Sequence, residues 1–275
     1  MSKKLKTIAA VVGSPIAQSL SPAIHNAAFA KMSKPWRYVA IDVEPKFFEE
    51  EVFASRDAGM LGLSVTMPHK DAAFALVNSM DDVAQKSGSV NTIIFDGTGV
   101  LRGANTDGDG CCDAIARFGF EFENCRAVVV GAGGTARAVI AALGNRGAAD
   151  ITIINRTESR AQAAAECATV ARVGSLSDIE NATLLINTTS VGMGTDELAV
   201  DSAYLHSSLV VLDAVYHPLR TALLQHAQRN GAQTIDGLWM LIYQAVRQEQ
   251  LWCGMSPDPE VMRDAALSAL AQRFD

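Results

Sequence analysis

Short, continuous apolar runs recur along this chain with helix-like segments between most of them, and that alternation is its strongest constraint on fold. The runs are Ile8–Val12, Tyr38–Val43, Leu61–Val65, Val90–Phe95, Ala127–Val130, Ile151–Ile154, Leu184–Ile186, Leu209–Leu212 and Thr234–Ile235. Strands apolar on both faces need cover on both faces, and intervening helices supply it. The pattern therefore predicts an α/β chain with mostly parallel sheets. Asp96-Gly97-Thr98-Gly99 between two apolar runs predicts a hairpin turn near the end of the first sheet.

A length of 275 residues suits one large or two medium domains, and 49% hydrophobic residues can build a sizeable core. Charged residues make up 19%, and the formal net charge is −7. That balance argues against disorder and against nonspecific nucleic-acid binding. The five cysteines, Cys111, Cys112, Cys125, Cys167 and Cys253, form no C-x-x-C pair. A disulfide framework or metal site is not expected, and a reducing, cytoplasmic setting fits. The basic N-terminus precedes an apolar run too short for a signal peptide, with Pro15 and Gln18-Ser19 following at once. It reads as a first buried strand rather than a leader. No run approaches the ~18 apolar residues of a membrane helix.

Asn105-Thr106-Asp107-Gly108-Asp109-Gly110 is a polar, glycine-rich break. It sets the expected domains at residues 1–107, 108–236 and a C-terminal segment 237–275. Leu238 to Tyr243 is apolar nearly all round, as in a helix buried on most sides. Asp258-Pro259 reads as N-cap and first turn of a last helix, with Leu267, Leu270 and Phe274 on one face. These last helices are expected to return to the first domain, leaving the ligand site in a cleft between domains.

Ala127-Val128-Val129-Val130 runs into Gly131-Ala132-Gly133-Gly134-Thr135-Ala136, a G-x-G-x-x-A turn between a strand and a helix over Thr135 to Asn145. Glycines permit the tight turn and close approach to a pyrophosphate, which the helix N-terminus then faces. Small-residue turns also arise for packing alone, but here the strand–turn–helix–strand context is complete. After the next strand come Asn155-Arg156-Thr157, with Arg160 one turn later. NAD-binding folds usually carry an acidic residue there for the ribose hydroxyls. A guanidinium instead offers planar, charge-assisted bonds to a 2′-phosphate, so the expected cofactor is NADP.

Three polar loops interrupt the first domain: Ser19-Leu20-Ser21-Pro22, Ser64-Val65-Thr66-Met67-Pro68-His69-Lys70 and Asn105-Thr106-Asp107-Gly108. Taken singly, Lys70 reads as a surface lysine, Asp107 as a turn residue and Ser21 as the cap of a helix begun by Pro22. Their joint occurrence ahead of a dinucleotide fold points to chemistry. Oxidising an alcohol requires removal of its hydroxyl proton, and the reverse step requires a donor for the oxyanion. Lys70 suits either task, and a nearby Asp107 would favour charged lysine; such a pair titrates as a unit.

With these motifs the chain resembles the shikimate dehydrogenase family over nearly its whole length. The resemblance is carried by Gly13-Ser14-Pro15-Ile16, Ser19-Leu20-Ser21-Pro22, His25-Asn26, Val65 to Lys70 and Gly88-Ser89-Val90-Asn91-Thr92. Asn105 to Gly108, Asn187 to Met193, Asp213-Ala214-Val215-Tyr216 and Asp236-Gly237 through Gln244 extend it. It implies a substrate domain followed by a Rossmann domain, and NADP-linked interconversion of 3-dehydroshikimate and shikimate. It implies that Ser19 and Ser21 hold the substrate carboxylate, that Thr66, Asn91, Asp107, Tyr216 and Gln244 surround the ring, and that Lys70 and Asp107 flank the reacting hydroxyl. Gly131, Ala132, Gly133, Gly134, Thr135, Asn155, Arg156, Thr157 and Arg160 are then cofactor contacts, with Met193, Ala214 and Gly237 by the nicotinamide. His25, inside the first helix, reads as structural, and His69 is left out of the site.

Three departures stand out. Ser64 replaces a usual Asn, Gln18 a frequent His, and Trp239 fills a place often occupied by a smaller residue. They bear on substrate preference and turnover. The expected partner is a small cyclic hydroxy acid, with no nucleic acid or membrane, for a monomer or homodimer. The rival readings are a paralogue using quinate or a related acid, or one of low activity, and a nucleotide sensor without catalysis. Retention of Lys70 and Asp107 argues against the sensor.

Overall fold

The structure, a computed structural model, describes residues 5–274; the side chains of residues 273 and 274, including that of Phe274, lie outside the description. The elements of the first half are β1 (Lys6–Gly13), α1 (Ser21–Lys31), β2 (Trp36–Asp42), α2 (Phe48–Asp57), β3 (Gly62–Val65), α3 (Lys70–Leu76), β4 (Ser79–Met80), α4 (Asp82–Ser87), β5 (Thr92–Phe95), β6 (Leu101–Ala104) and α5 (Thr106–Ala116). The second half holds β7 (Arg126–Val130), α6 (Gly134–Asn145), β8 (Asp150–Ile154), α7 (Glu158–Ala165), β9 (Ala171–Val173), β10 (Leu184–Asn187), β11 (Val210–Asp213), α8 (Ala222–Arg229), β12 (Gln233–Asp236), α9 (Gly237–Cys253) and α10 (Pro259–Phe274).

The chain divides into two compact units, one of residues 1–106 with 244–275 and one of residues 107–243. In the first, six strands are ordered β2-β1-β3-β5-β6-β4. Only β5 runs against the rest, pairing antiparallel with β3 and with β6. The hairpin at residues 96–99 reverses the chain between β5 and β6, and Asp96 accepts from both the backbone N–H and the hydroxyl of Thr98. A core of Val12, Leu63, Val65, Val90 and Ile93 lies on the sheet with Phe48 and Val52 of α2. The final helix α10 packs on α1, and Asp258 Oδ1 accepts the Glu260 N–H at 3.0 Å, as an N-cap does.

In the second unit six strands are ordered β12-β11-β10-β7-β8-β9, and every pairing is parallel. Counted from β7 this is the 3-2-1-4-5-6 order of a Rossmann sheet, with its switch point between β7 and β10. The strands β10 and β11 are buried along their whole lengths, as continuous apolar runs on a doubly covered sheet must be.

The units differ from the sequence expectation at both boundaries: Asp107 falls in the second unit, and the return to the first comes later than expected. The first two turns of α9 belong to the second unit, so the chain changes units at Gln244 rather than Gly237. Gly237 shows why. A Cβ there would collide with the Ala214 carbonyl and lie 2.6 Å from the Asp213 carbonyl oxygen. The start of α9 is thus pressed onto the end of β11.

Candidate active site

Strand direction gathers the polar loops of the first unit at one end of its sheet. The strands β1, β3 and β6 finish there, and the reversed β5 starts there. Adjacent loops are stitched together by backbone bonds. Thr66 N–H donates to Val12, Ser14 N–H to Met67, Val65 N–H to Asn91, Asn91 N–H to Ala104 and Val90 N–H to Lys70. The Gly13 and Thr66 loops touch so closely that a Cβ on Gly13 would clash with the Thr66 methyl.

On this scaffold Lys70 is the first residue of α3 and half-buried. His69 beside it is buried, with Nε2 2.7 Å from the Val43 carbonyl and its ring stacked on Phe48 at 4.8 Å. Its role is to pin the lysine loop to the end of β2 and to α2. Asn91 is buried; its Oδ1 accepts the Thr106 N–H at 2.9 Å and its Nδ2 donates to Thr106 Oγ1 at 3.0 Å. That fixes the first turn of α5, where Asp107 follows at 9% exposure. Gln244 is buried in α9 and Thr66 is half-buried at the end of β3.

One local reading is corrected. Ser21 does not cap α1. It is the helix's first residue and Leu20 the N-cap, with no side-chain cap bond. The Ser21 N–H is instead satisfied by Ser19 Oγ at 3.2 Å. A serine two residues upstream, reaching forward along the chain, does the work expected of a cap.

The His25-Asn26 pair explains itself through Tyr38. Asn26 clamps the Tyr38 backbone from both sides, donating to its carbonyl at 2.9 Å and accepting its N–H at 2.8 Å. His25 stacks on the Tyr38 ring at 4.2 Å, and its Nδ1 lies 2.8 Å from Glu249 Oε1, both side chains fully buried. Sequence reasoning missed Glu249, Tyr38 and Gln248. Gln248 and Glu249 sit in the polar run Arg247-Gln248-Glu249-Gln250, which reads as a solvated face and gives no sign of their burial.

In the second unit the glycine turn lies between β7 and α6. Gly131 has φ +115°, and a Cβ there would be 2.5 Å from Thr188 Oγ1. Gly133 is the N-cap of α6, and space is open where its Cβ would point. Ala132, Gly134 and Thr135 are half-buried around it. At the end of β8, Asn155 Nδ2 donates to the Thr157 carbonyl at 2.9 Å, and Arg156 and Arg160 are exposed. The turn fits a pyrophosphate, and the exposed guanidiniums fit a further phosphate.

The ends of β10 and β11 share a buried hub. Asp213 Oδ1 accepts from Asn187 Nδ2 at 2.8 Å and from the Val215 N–H at 3.1 Å; Oδ2 accepts from Thr221 Oγ1 at 2.6 Å. Asn187 Oδ1 in turn accepts the Thr189 N–H and hydroxyl. Burial raises the Asp213 pKa, against the lowering effect of these three donors. The hub orders the 187–193 loop carrying Met193, which is 55% exposed, and the 213–221 segment carrying Ala214 and half-buried Tyr216. Trp239 is buried, with the Arg117 guanidinium 4.3 Å over its ring.

Family profiles match most of the chain. Residues 11–93 match the shikimate dehydrogenase substrate binding domain, 114–196 the shikimate / quinate 5-dehydrogenase family, and 237–267 the shikimate 5′-dehydrogenase C-terminal domain. The shikimate dehydrogenase (NADP(+)) of Methanosarcina barkeri is 40% identical over 97% of this chain and 99% of its own length. The chain belongs to the shikimate dehydrogenase family. Among solved structures, shikimate 5-dehydrogenase from Thermus thermophilus, in complex with NADP(H) and shikimate, superposes with a TM-score of 0.90 at 34% identity, covering 96% of this chain and 99% of that one. Quinate dehydrogenase from Corynebacterium glutamicum, in complex with NAD, gives 0.87 at 30% identity over 96% and 99%. Among the described residues no helix is long and apolar enough to cross a membrane, and the five cysteines form no disulfide.

Proposed function

We propose that this protein interconverts 3-dehydroshikimate and shikimate with NADP. Family membership supports the reaction class, and one structural observation carries the assignment: Thr66, Lys70, Asn91 and the start of α5 occupy neighbouring strand ends of one sheet. Ser19 and Ser21 hold the substrate carboxylate. Thr66, Asn91, Tyr216 and Gln244 take the ring substituents. Lys70 and Asp107 handle the proton of the reacting hydroxyl, releasing it on oxidation and returning it on reduction.

NADP, when bound, accepts the hydride or returns it. The 131–135 turn and the α6 N-terminus hold its pyrophosphate. Asn155, Arg156, Thr157 and Arg160 take the 2′-phosphate, while Met193, Ala214 and Gly237 border the nicotinamide. A cytoplasmic location and a monomeric or homodimeric state go with this reading.

Ser64 supports a second reading, in which quinate or a related cyclic hydroxy acid is preferred. A hydroxyl replaces the amide usual in the family, close to Thr66 and Lys70. Nicotinamide absorbance with shikimate and quinate, each with NADP and NAD, tests both. Highest kcat/KM with shikimate and NADP supports the first reading; quinate ahead of shikimate overturns it for the second.

A further inference from the structure

A single path of buried hydrogen bonds crosses the first unit. Tyr38 Oη donates to Ser64 Oγ at 2.6 Å, and Ser64 Oγ donates to Gln248 Oε1 at 2.8 Å. Gln248 Nε2 donates to Thr92 Oγ1 at 3.1 Å, and Thr92 Oγ1 donates to Asn91 Oδ1 at 2.7 Å. Asn91 Nδ2 then donates to Thr106 Oγ1. At the other end the Tyr38 hydroxyl also bonds the Ser21 side chain. From Tyr38 to Thr92 each donor points the same way and each hydroxyl from Ser64 to Thr92 both gives and receives, while Thr106 Oγ1 donates back to Asn91 Oδ1 at 3.2 Å.

Such a chain is cooperative, because turning one hydroxyl changes what its neighbour must do. Its ends are two of the proposed substrate contacts, Ser21 and Asn91. Its middle is held rigidly. His25 and Asn26 fix the ring and backbone of Tyr38, and Ser64, Thr92 and Gln248 are buried, with no more than 6% exposure. Ser64 therefore has both partners inside the protein. It serves as a relay between Tyr38 and Gln248, and bears on the ring through them.

We infer that Tyr38, Ser64 and Gln248 are positioning residues that couple the carboxylate-binding Ser21 to the ring-binding Asn91. This rests on the shikimate reading. A carboxylate at Ser21 needs a donor hydroxyl there, so Tyr38 must give its proton to Ser21 or leave Ser21 free to turn. The first change takes the Tyr38 proton away from Ser64 Oγ and passes through Ser64 and Gln248 to Thr92 and Asn91. Substrates lacking the carboxylate would lose the orientation of the far end as well as the near contact.

The test uses the full-length enzyme with NADP and shikimate. Tyr38→Phe and Ser64→Ala each delete one hydroxyl of the relay. Each is expected to raise KM for shikimate about three- to tenfold, the worth of one net hydrogen bond. KM for NADP should not change, and Ser64→Thr should restore the wild-type value. Because both deletions break the same link, the double variant should match the worse single variant. Multiplying factors in the double variant, or equal rises in KM for shikimate and NADP, would overturn the coupling and leave only a packing role. Wild-type KM in Tyr38→Phe overturns the inference alone. A wild-type enzyme that neither binds nor oxidises shikimate overturns the substrate reading and the inference together.

Discussion

Replacing Asp213 by Ala should cost the second unit far more than replacing it by Asn. The carboxylate satisfies three donors, from Asn187, Val215 and Thr221, in a site with no solvent exposure. In Asp213→Ala the Thr221 hydroxyl can turn elsewhere, but the Asn187 amide and the Val215 N–H lose their acceptor. At about 1–3 kcal/mol for each of these two buried donors left bare, the loss is about 2–6 kcal/mol. Asp213→Asn keeps Oδ1 for both of those donors and lets its amide donate to Thr221 Oγ1. Its cost should stay below about 1 kcal/mol. Equilibrium urea unfolding measures both, and hydrogen exchange should place the loss in residues 187–193 and 213–221. The two variants also differ with pH. Burial raises the folded-state pKa of Asp213 above its ordinary 3.8. Between those two values the native protein holds more protons than the unfolded chain, so this group's contribution falls as pH rises. The stability of Asp213→Asn relative to wild type should therefore climb from low pH through that window and then level off. Asp213→Ala within about 0.5 kcal/mol of wild type would refute the hub. So would Asn proving as damaging as Ala.

Lys70→Ala should lower kcat far more than it raises KM for shikimate, and steady-state kinetics checks this; a surviving kcat would reduce Lys70 to a binding residue. Arg156→Ala should raise KM for NADP about tenfold or more while leaving KM for NAD nearly unchanged, since only NADP carries the charge it pairs with. Equal effects on both cofactors would remove the 2′-phosphate assignment.

The strand runs, the glycine turn and the Rossmann half were legible because period and turn chemistry are local properties. Two of the strands without a stated run, β4 and β9, were not. The strand β4 has two residues, and two of the three residues of β9, Arg172 and Val173, face solvent, so neither needed an apolar run. The boundary at Gln244 depends on the close approach of Gly237 to the end of β11, which no local pattern announces. The relay was hidden for a related reason. Its members come from β2, β3, α9 and β5, and only the folded sheet makes Tyr38, Ser64, Gln248 and Thr92 neighbours. His25 could be read as structural from its place in a helix, but its partner Glu249 lies near the far end of the chain.

The most direct measurement is to give the enzyme 3-dehydroshikimate and NADPH deuterated at nicotinamide C4, and to analyse the product by mass spectrometry. The account predicts shikimate carrying one deuterium on the reduced carbon, formed faster than with deuterated NADH. Absence of reduction, or a label arriving equally fast from NADH, would contradict it.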